Sequence, residues 1–187
     1  MKDTKDNLSD SFLISEFLKG DDNAFSSIVD KYQKRVYYLV LRFLKNEEVA
    51  QDITQETFIK LYQNLRAFKG KSNLYTYIYR IAINNCKNYY YKETKSNPVF
   101  IYSLPQSEMA SAYSPFKTLK TKEDILRVSE IIDKLPYKQK TTFMLRIFED
   151  LSFKEIAEVM GFSINSALVN YHIAVKKIIK EWGKIQK

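Results

Sequence analysis

A chain of 187 residues that is 45% hydrophobic and carries a net charge of +8 can bury a core and is too apolar for wholesale disorder. Its single cysteine, Cys86, excludes an intramolecular disulfide, and with its single histidine, His172, leaves no ligand set for a structural zinc. Four glycines and four prolines, three of them at Pro98, Pro105 and Pro115, give too little turn punctuation for many short strands and favour long helices.

The opening stretch, MKDTKDNLSDSFLISEFLKG, lacks the continuous apolar core of a signal peptide. No run approaches the roughly 20 apolar residues of a membrane span. The expectation is a soluble cytoplasmic protein with a reduced thiol and no direct membrane insertion. Three segments are then expected: helices over 11–92, a linker over 93–121 rich in Ser and Pro, and helices again over 122–187.

In the first segment Phe25, Ile28, Val29, Tyr32, Val36 and Leu39 recur at steps of three, one, three, four and three and mark one helix face. A second helix is predicted over Glu47 to Leu65, with Val49, Ile53, Phe58, Leu61 and Leu65 inward. Asp52, Gln55, Glu56 and Lys60 then form a polar strip, which by itself reads as an ordinary solvated face. A loop over Phe68 to Asn73 follows, and Ser72 or Asn73 can cap the next helix. On that helix Ile78, Ile81, Ala82, Asn85, Cys86 and Tyr89 share a mostly apolar face, so Cys86 is expected to be a buried, inert thiol. Arg80, Asn84, Lys87 and Tyr91 share another stripe, with Asn88 beside it.

Charge is unevenly spread. Residues 57–95 hold Lys60, Arg66, Lys69, Lys71, Arg80, Lys87, Lys92 and Lys95 against the single acid Glu93. A block of this density suits a polyanion, although a Lys-rich surface also serves solubility alone. Tyr75, Tyr77, Tyr79, Tyr89, Tyr90 and Tyr91 are interleaved with it. Cations for phosphates, amides for base edges and rings for stacking are what single-stranded nucleic acid requires. Most of these tyrosines have core packing as the competing use.

In the third segment, LSFKEIAEVMGFSINSALVNYHIAVKKI, Ser152 and Glu155 make a capping box. Phe153, Ile156, Ala157 and Met160 form a core stripe. Gly161 permits a sharp turn, Ser163 caps the next helix, and Ala167, Tyr171, Ala174 and Ile178 return to the same core. Two helices across such a turn make a helix-turn-helix, whose second helix enters the major groove, or else a plain helical hairpin.

The two halves together resemble the sigma-70 family, in particular the small extracytoplasmic-function (ECF) type. One match is AFSSIVDKYQKRVYYLVLRFLKNEEVAQDITQETFIKLY followed by FKGKSNLYTYIYRIAINNCKNYY. It carries an Asp-x-x-Gln-Glu-x-Phe motif as Asp52, Gln55, Glu56 and Phe58. It also carries a Ser-x-x-x-Thr-aromatic-x-Tyr-Arg-Ile-Ala-x-Asn run from Ser72 through Thr76, Tyr77, Tyr79, Arg80, Ile81 and Ala82 to Asn84. The other match is LPYKQKTTFMLRIFEDLSFKEIAEVMGFSINSALVNYHIAVKKI. The resemblance implies an all-α protein of two small helical domains, sigma region 2 (11–92) and sigma region 4 (122–187), joined by a flexible linker.

It also implies a division of labour. Asp52, Gln55, Glu56 and Lys60 would dock on the clamp helices of the largest subunit of core RNA polymerase, and region 4 on the flap of the second-largest. Lys69, Lys71, Ser72, Asn73, Tyr75, Arg80, Asn84, Lys87 and Asn88 would hold the −10 element of promoter DNA and a base flipped from it. Lys154, Ser163, Asn165, Ser166, Val169, Asn170, Ile173, Lys176 and Lys177 would meet the −35 duplex. An anti-sigma factor is the expected regulatory partner, and no cofactor or metal is implied. The family often has Lys where Leu168 stands, Arg where Asn170 stands, and basic residues at the positions of Ile173 and Val175. Tyr77 replaces a common Trp and Leu74 a common Phe. The competing reading, a stand-alone helix-turn-helix regulator, leaves the Asp52–Glu56 strip unused. An enzyme is disfavoured because the sequence has no metal-site carboxylates, phosphate-binding glycine loop or Cys/His nucleophile pair.

Overall fold

A computed structural model describes residues 9–70, 72–96 and 122–185. These form eight α-helices and, among the described residues, no strand. The helices fall into two compact units, four in each.

The first unit holds α1 (Asp10–Leu18), α2 (Asp22–Leu44), α3 (Glu47–Leu65) and α4 (Leu74–Ser96). Its starts are fixed by caps. Ser9, Asp21 and Asn46 each accept a backbone N–H from the first turn of the helix that follows, satisfying donors that have no partner inside the helix. Glu47 and Glu48 add negative charge at the positive end of the α3 dipole. Between α2 and α3 the chain turns through Lys45 in the left-handed conformation, φ 54°.

Helix α2 packs on α1, α3 and α4, and α3 packs on α4. Ile28, Val36, Leu39, Val40, Leu61, Leu65, Ile78 and Ile83 fill the interior. Val49 stands half-exposed at the start of α3, while Ile53, Phe58, Leu61 and Leu65 are buried as their spacing predicts. Cys86 is buried. Helix α1 is clasped to α2 by polar contacts: Asp10 accepts from Lys31 Nζ at 2.8 Å and from the Tyr32 hydroxyl at 2.7 Å. Burial, reinforced by that hydrogen bond to Asp10, pushes the Tyr32 phenol well above its ordinary pKa.

The second unit holds α5 (Lys122–Asp133), α6 (Tyr137–Phe148), α7 (Phe153–Met160) and α8 (Ile164–Ile185). Helix α8 packs on each of the other three. The capping box of Ser152 and Glu155 is complete: each side chain takes the other's backbone N–H. Gly161 ends α7 at φ 68°, a left-handed conformation that a side chain would strain. Ser163 Oγ accepts the Ser166 N–H at 3.1 Å and caps α8. On α7 the buried apolar set is Ile156, Ala157 and Val159; Phe153 and Met160 are half-exposed at its margins.

Helix α4 runs past Glu93, where the Ser- and Pro-rich composition begins, and stops at Ser96. The sequence has no helix breaker before Pro98, and proline disfavours helix only at and just before itself. The rest of the linker, residues 97–121, lies outside the described residues, as does Lys71.

Candidate functional site

Three surfaces carry the predicted site residues, two on the first unit and one on the second.

On α3, Asp52, Gln55 and Glu56 are exposed. They stand opposite Ile53, Thr57, Phe58 and Leu61, whose burial fixes the helix rotation. Ile59 is 57% exposed beside them and gives the acidic face an apolar centre. The spacing of Asp52, Gln55 and Ile59, three and then four residues apart, already puts it there. Tyr62 is also exposed, with its hydroxyl donating to Asp22 at 3.2 Å and its ring edge-on to Phe17 and Phe25.

Lys60 behaves differently from its neighbours in the strip. Its ammonium pairs with Glu56 at 2.6 Å and donates to Asn85 Oδ1 on α4, also at 2.6 Å. Asn85 is buried and donates in turn to Thr57 Oγ at 3.3 Å. Lys60 therefore joins α3 to α4, a role that spacing within one helix cannot reveal.

On α4 the stripe of Arg80, Asn84, Lys87 and Asn88 is exposed along its length. The carbonyl of Asn73 accepts the Tyr77 N–H at 3.1 Å, which makes Asn73 the residue flanking the helix start. Lys69 and Asn73 are exposed, and Ser72 and Tyr75 half-buried. Gly70 takes φ 64° in the preceding loop. The guanidinium of Arg80 stands 5.0 Å from the centre of the Tyr77 ring, and that ring lies 4.9 Å from Phe68. A cation–π contact of this kind holds the guanidinium in place.

The six tyrosines divide. Tyr79 is 1% exposed and belongs to the core; Tyr75, Tyr77 and Tyr89 are half-buried; Tyr90 and Tyr91 are exposed, with ring centres 5.8 Å apart.

On α8, Ala167, Ala174 and Ile178 are buried. The opposite line runs through Asn165, Val169, His172, Lys176 and Lys180, all exposed, with Ile173 alongside. Lys154 is exposed near the start of α7. Two of the predicted residues make hydrogen bonds within the unit. Asn170 is half-buried and its amide donates to the Ser166 carbonyl at 2.8 Å; Lys177 donates to Gln139 on α6 at 3.0 Å. Among the described residues no group of three or more His, Cys, Asp or Glu side chains could hold a metal ion, and no helix is long and apolar enough to cross a membrane.

Comparison with known proteins matches each unit to a region of one family. The model for sigma-70 region 2 matches residues 28–96, and that for sigma-70, region 4 matches residues 125–178. The RNA polymerase sigma-H factor of Pseudomonas aeruginosa is 35% identical over 158 residues, 81% of this chain and 82% of its own. The ECF RNA polymerase sigma-E factors of Haemophilus influenzae and Escherichia coli K12 are each 33% identical over 160 residues, 82% of this chain and 84% and 83% of theirs. In fold, the chain resembles CnrH, solved in complex with the cytosolic domain of CnrY (TM-score 0.69, 18% identity, 91% of this chain and 95% of that one). It also resembles the sigma factor RpoE of Bartonella quintana, solved with the anti-sigma factor NepR (TM-score 0.66, 17% identity, 87% and 98%). With two region models matched in order and relatives above 30% identity over more than four-fifths of their length, the chain belongs to the sigma-70 family as an RNA polymerase sigma factor of the ECF type.

Proposed function

We propose that the three surfaces divide the work of a sigma factor among themselves. Asp52, Gln55 and Glu56, with Ile59 at their centre, dock on the clamp helices of core polymerase. Lys69, Ser72, Asn73, Tyr75, Arg80, Asn84, Lys87 and Asn88 hold the −10 element, and Lys71 falls in the same loop by sequence. Asn165, Val169, Ile173 and Lys176 on α8, with Lys154 on α7, meet the −35 duplex. Residues 11–92 and 122–187 serve as the two working domains and 93–121 as their connection. The protein itself makes and breaks no bond; it stabilises one position of polymerase on DNA and the opened form of that DNA. It works where core polymerase does, in the cytoplasm. An anti-sigma factor is its regulatory partner, a reading supported by the neighbour solved with NepR.

The observation that carries this reading is the segregation of chemistry within one unit: an exposed acidic face on α3 and an exposed cationic and amide face on α4. A protein that only bound duplex DNA would have no use for the first. Reconstitution with core polymerase tests it. The wild-type chain should bind core and initiate from a cognate promoter. Asp52→Lys with Glu56→Lys should weaken core binding by an order of magnitude or more. Normal core affinity in that variant would refute the docking face.

A further inference from the structure

We propose that α8 reads the −35 element through thymine methyl groups, with Val169 and Ile173 as the contacting side chains. This rests on the reading of α7 and α8 as the duplex-binding pair. The N-terminal part of a recognition helix is the part that approaches base edges. On that part of α8 two outward positions hold aliphatic side chains, Val169 at 55% and Ile173 at 39% exposure, with the exposed His172 between them in sequence. Of the polar neighbours, Asn170, Ser163 and Ser166 are already engaged within the helix. Asn170 gives its amide hydrogen to the Ser166 carbonyl, and the Ser163 and Ser166 hydroxyls share a 2.9 Å hydrogen bond beside the Ser163 cap of the helix. Asn165 alone heads the stripe as an exposed amide.

Guanine is usually read by a bidentate Arg or Lys, and the stripe offers neither at its centre. Valine and isoleucine have no donor or acceptor. The apolar feature of the major-groove edge is the C5-methyl of thymine. Branching at Cβ restricts both side chains to few rotamers, so they meet the groove already ordered. The occupant is duplex DNA and not an apolar protein surface because cations flank the pair, with exposed Lys154 on α7 and exposed Lys176 and Lys180 further along α8. Val169 and Ile173 are four residues apart, about 6 Å along the helix axis. Against a base-pair rise of about 3.4 Å, the two methyls fall within roughly two base-pair steps of each other.

The test uses holoenzyme assembled from the full chain and core polymerase, challenged with duplexes randomised upstream of a fixed −10 element. Selected sequences should hold two thymines within about two steps. Replacing either thymine by deoxyuridine removes one methyl group and nothing else, and should weaken binding about fourfold, equivalent to about 0.8 kcal/mol. Val169→Ala should abolish the response at one thymine and Ile173→Ala at the other. Selected sites without thymine, or thymines indifferent to deoxyuridine, overturn the proposal while leaving duplex recognition by α8 intact. Failure to select any upstream sequence overturns both. If the alanine variants weaken core binding and leave the deoxyuridine response unchanged, the pair is a protein-docking patch and the proposal falls.

Discussion

Arg80 illustrates how a single side chain is prepared for a task. Its guanidinium is held over Tyr77, which is itself packed against Phe68, so part of the cost of ordering a long flexible side chain is met on folding. Lys87, further along the stripe, is exposed. Arg80→Glu and Lys87→Glu should each reduce promoter opening about tenfold while changing core affinity little, measured by permanganate footprinting beside a core-binding titration; Lys87→Ala should also lower the salt slope of promoter binding by about one. Equal loss of opening and core binding would refute the face. Tyr32 permits a different test. Its phenol is pushed above the ordinary value of 10.0 by burial and by donating to Asp10. The folded chain therefore keeps a proton that the unfolded chain releases, and this contribution is present below about pH 10 and lost as pH rises beyond it. Tyr32→Phe should lower stability by about 1–3 kcal/mol at neutral pH and flatten the decline above pH 10 in urea titrations.

At the scale of elements, some helices could be read almost to the residue and others could not. Helix α3 runs from Glu47 to Leu65, as its apolar spacing predicts, because cap, dipole and periodicity agree. The turn between α7 and α8 was legible for the same reason: capping box, glycine and second cap all lie within a dozen residues. Helix α1 carried signals, a capping Ser9 and the buried pair Leu13 and Phe17, but they are too few to stand out by period alone. The hydrogen bonds of Lys60, Asn170 and Lys177 within the fold were not legible. Their partners sit on another helix or depend on a rotamer, and one helix's periodicity carries no information on either. Ser152→Ala should cost about 1 kcal/mol through the lost cap, and Gly161→Ala about 1 kcal/mol through left-handed strain. Trp182, the single tryptophan, lies in α8, so its fluorescence during urea unfolding checks both in the unit concerned.

For the whole molecule, charge matters most when polymerase and DNA are both present. With the basic block over 57–95 and the lysines of α8 assigned to DNA as proposed, promoter binding by holoenzyme becomes a counterion-release process. If 6–10 phosphates are neutralised, affinity should fall by about three to five decades between 50 and 200 mM salt; a flat response in a filter-binding titration would contradict the assignment of these cations to DNA.

The contact joining Lys60 to Asn85 has a consequence for anyone dissecting the protein by alanine scanning. Removing the ammonium deprives the buried Asn85 carbonyl oxygen of its donor, a defect worth about 1–3 kcal/mol that falls on α4 as much as on α3. A Lys60→Ala protein would lose polymerase affinity and promoter opening together, and would pass for a residue touching both partners. Lys60→Gln, which keeps an amide donor toward Asn85 and discards the charge, separates a tie between two helices from a contact with either partner.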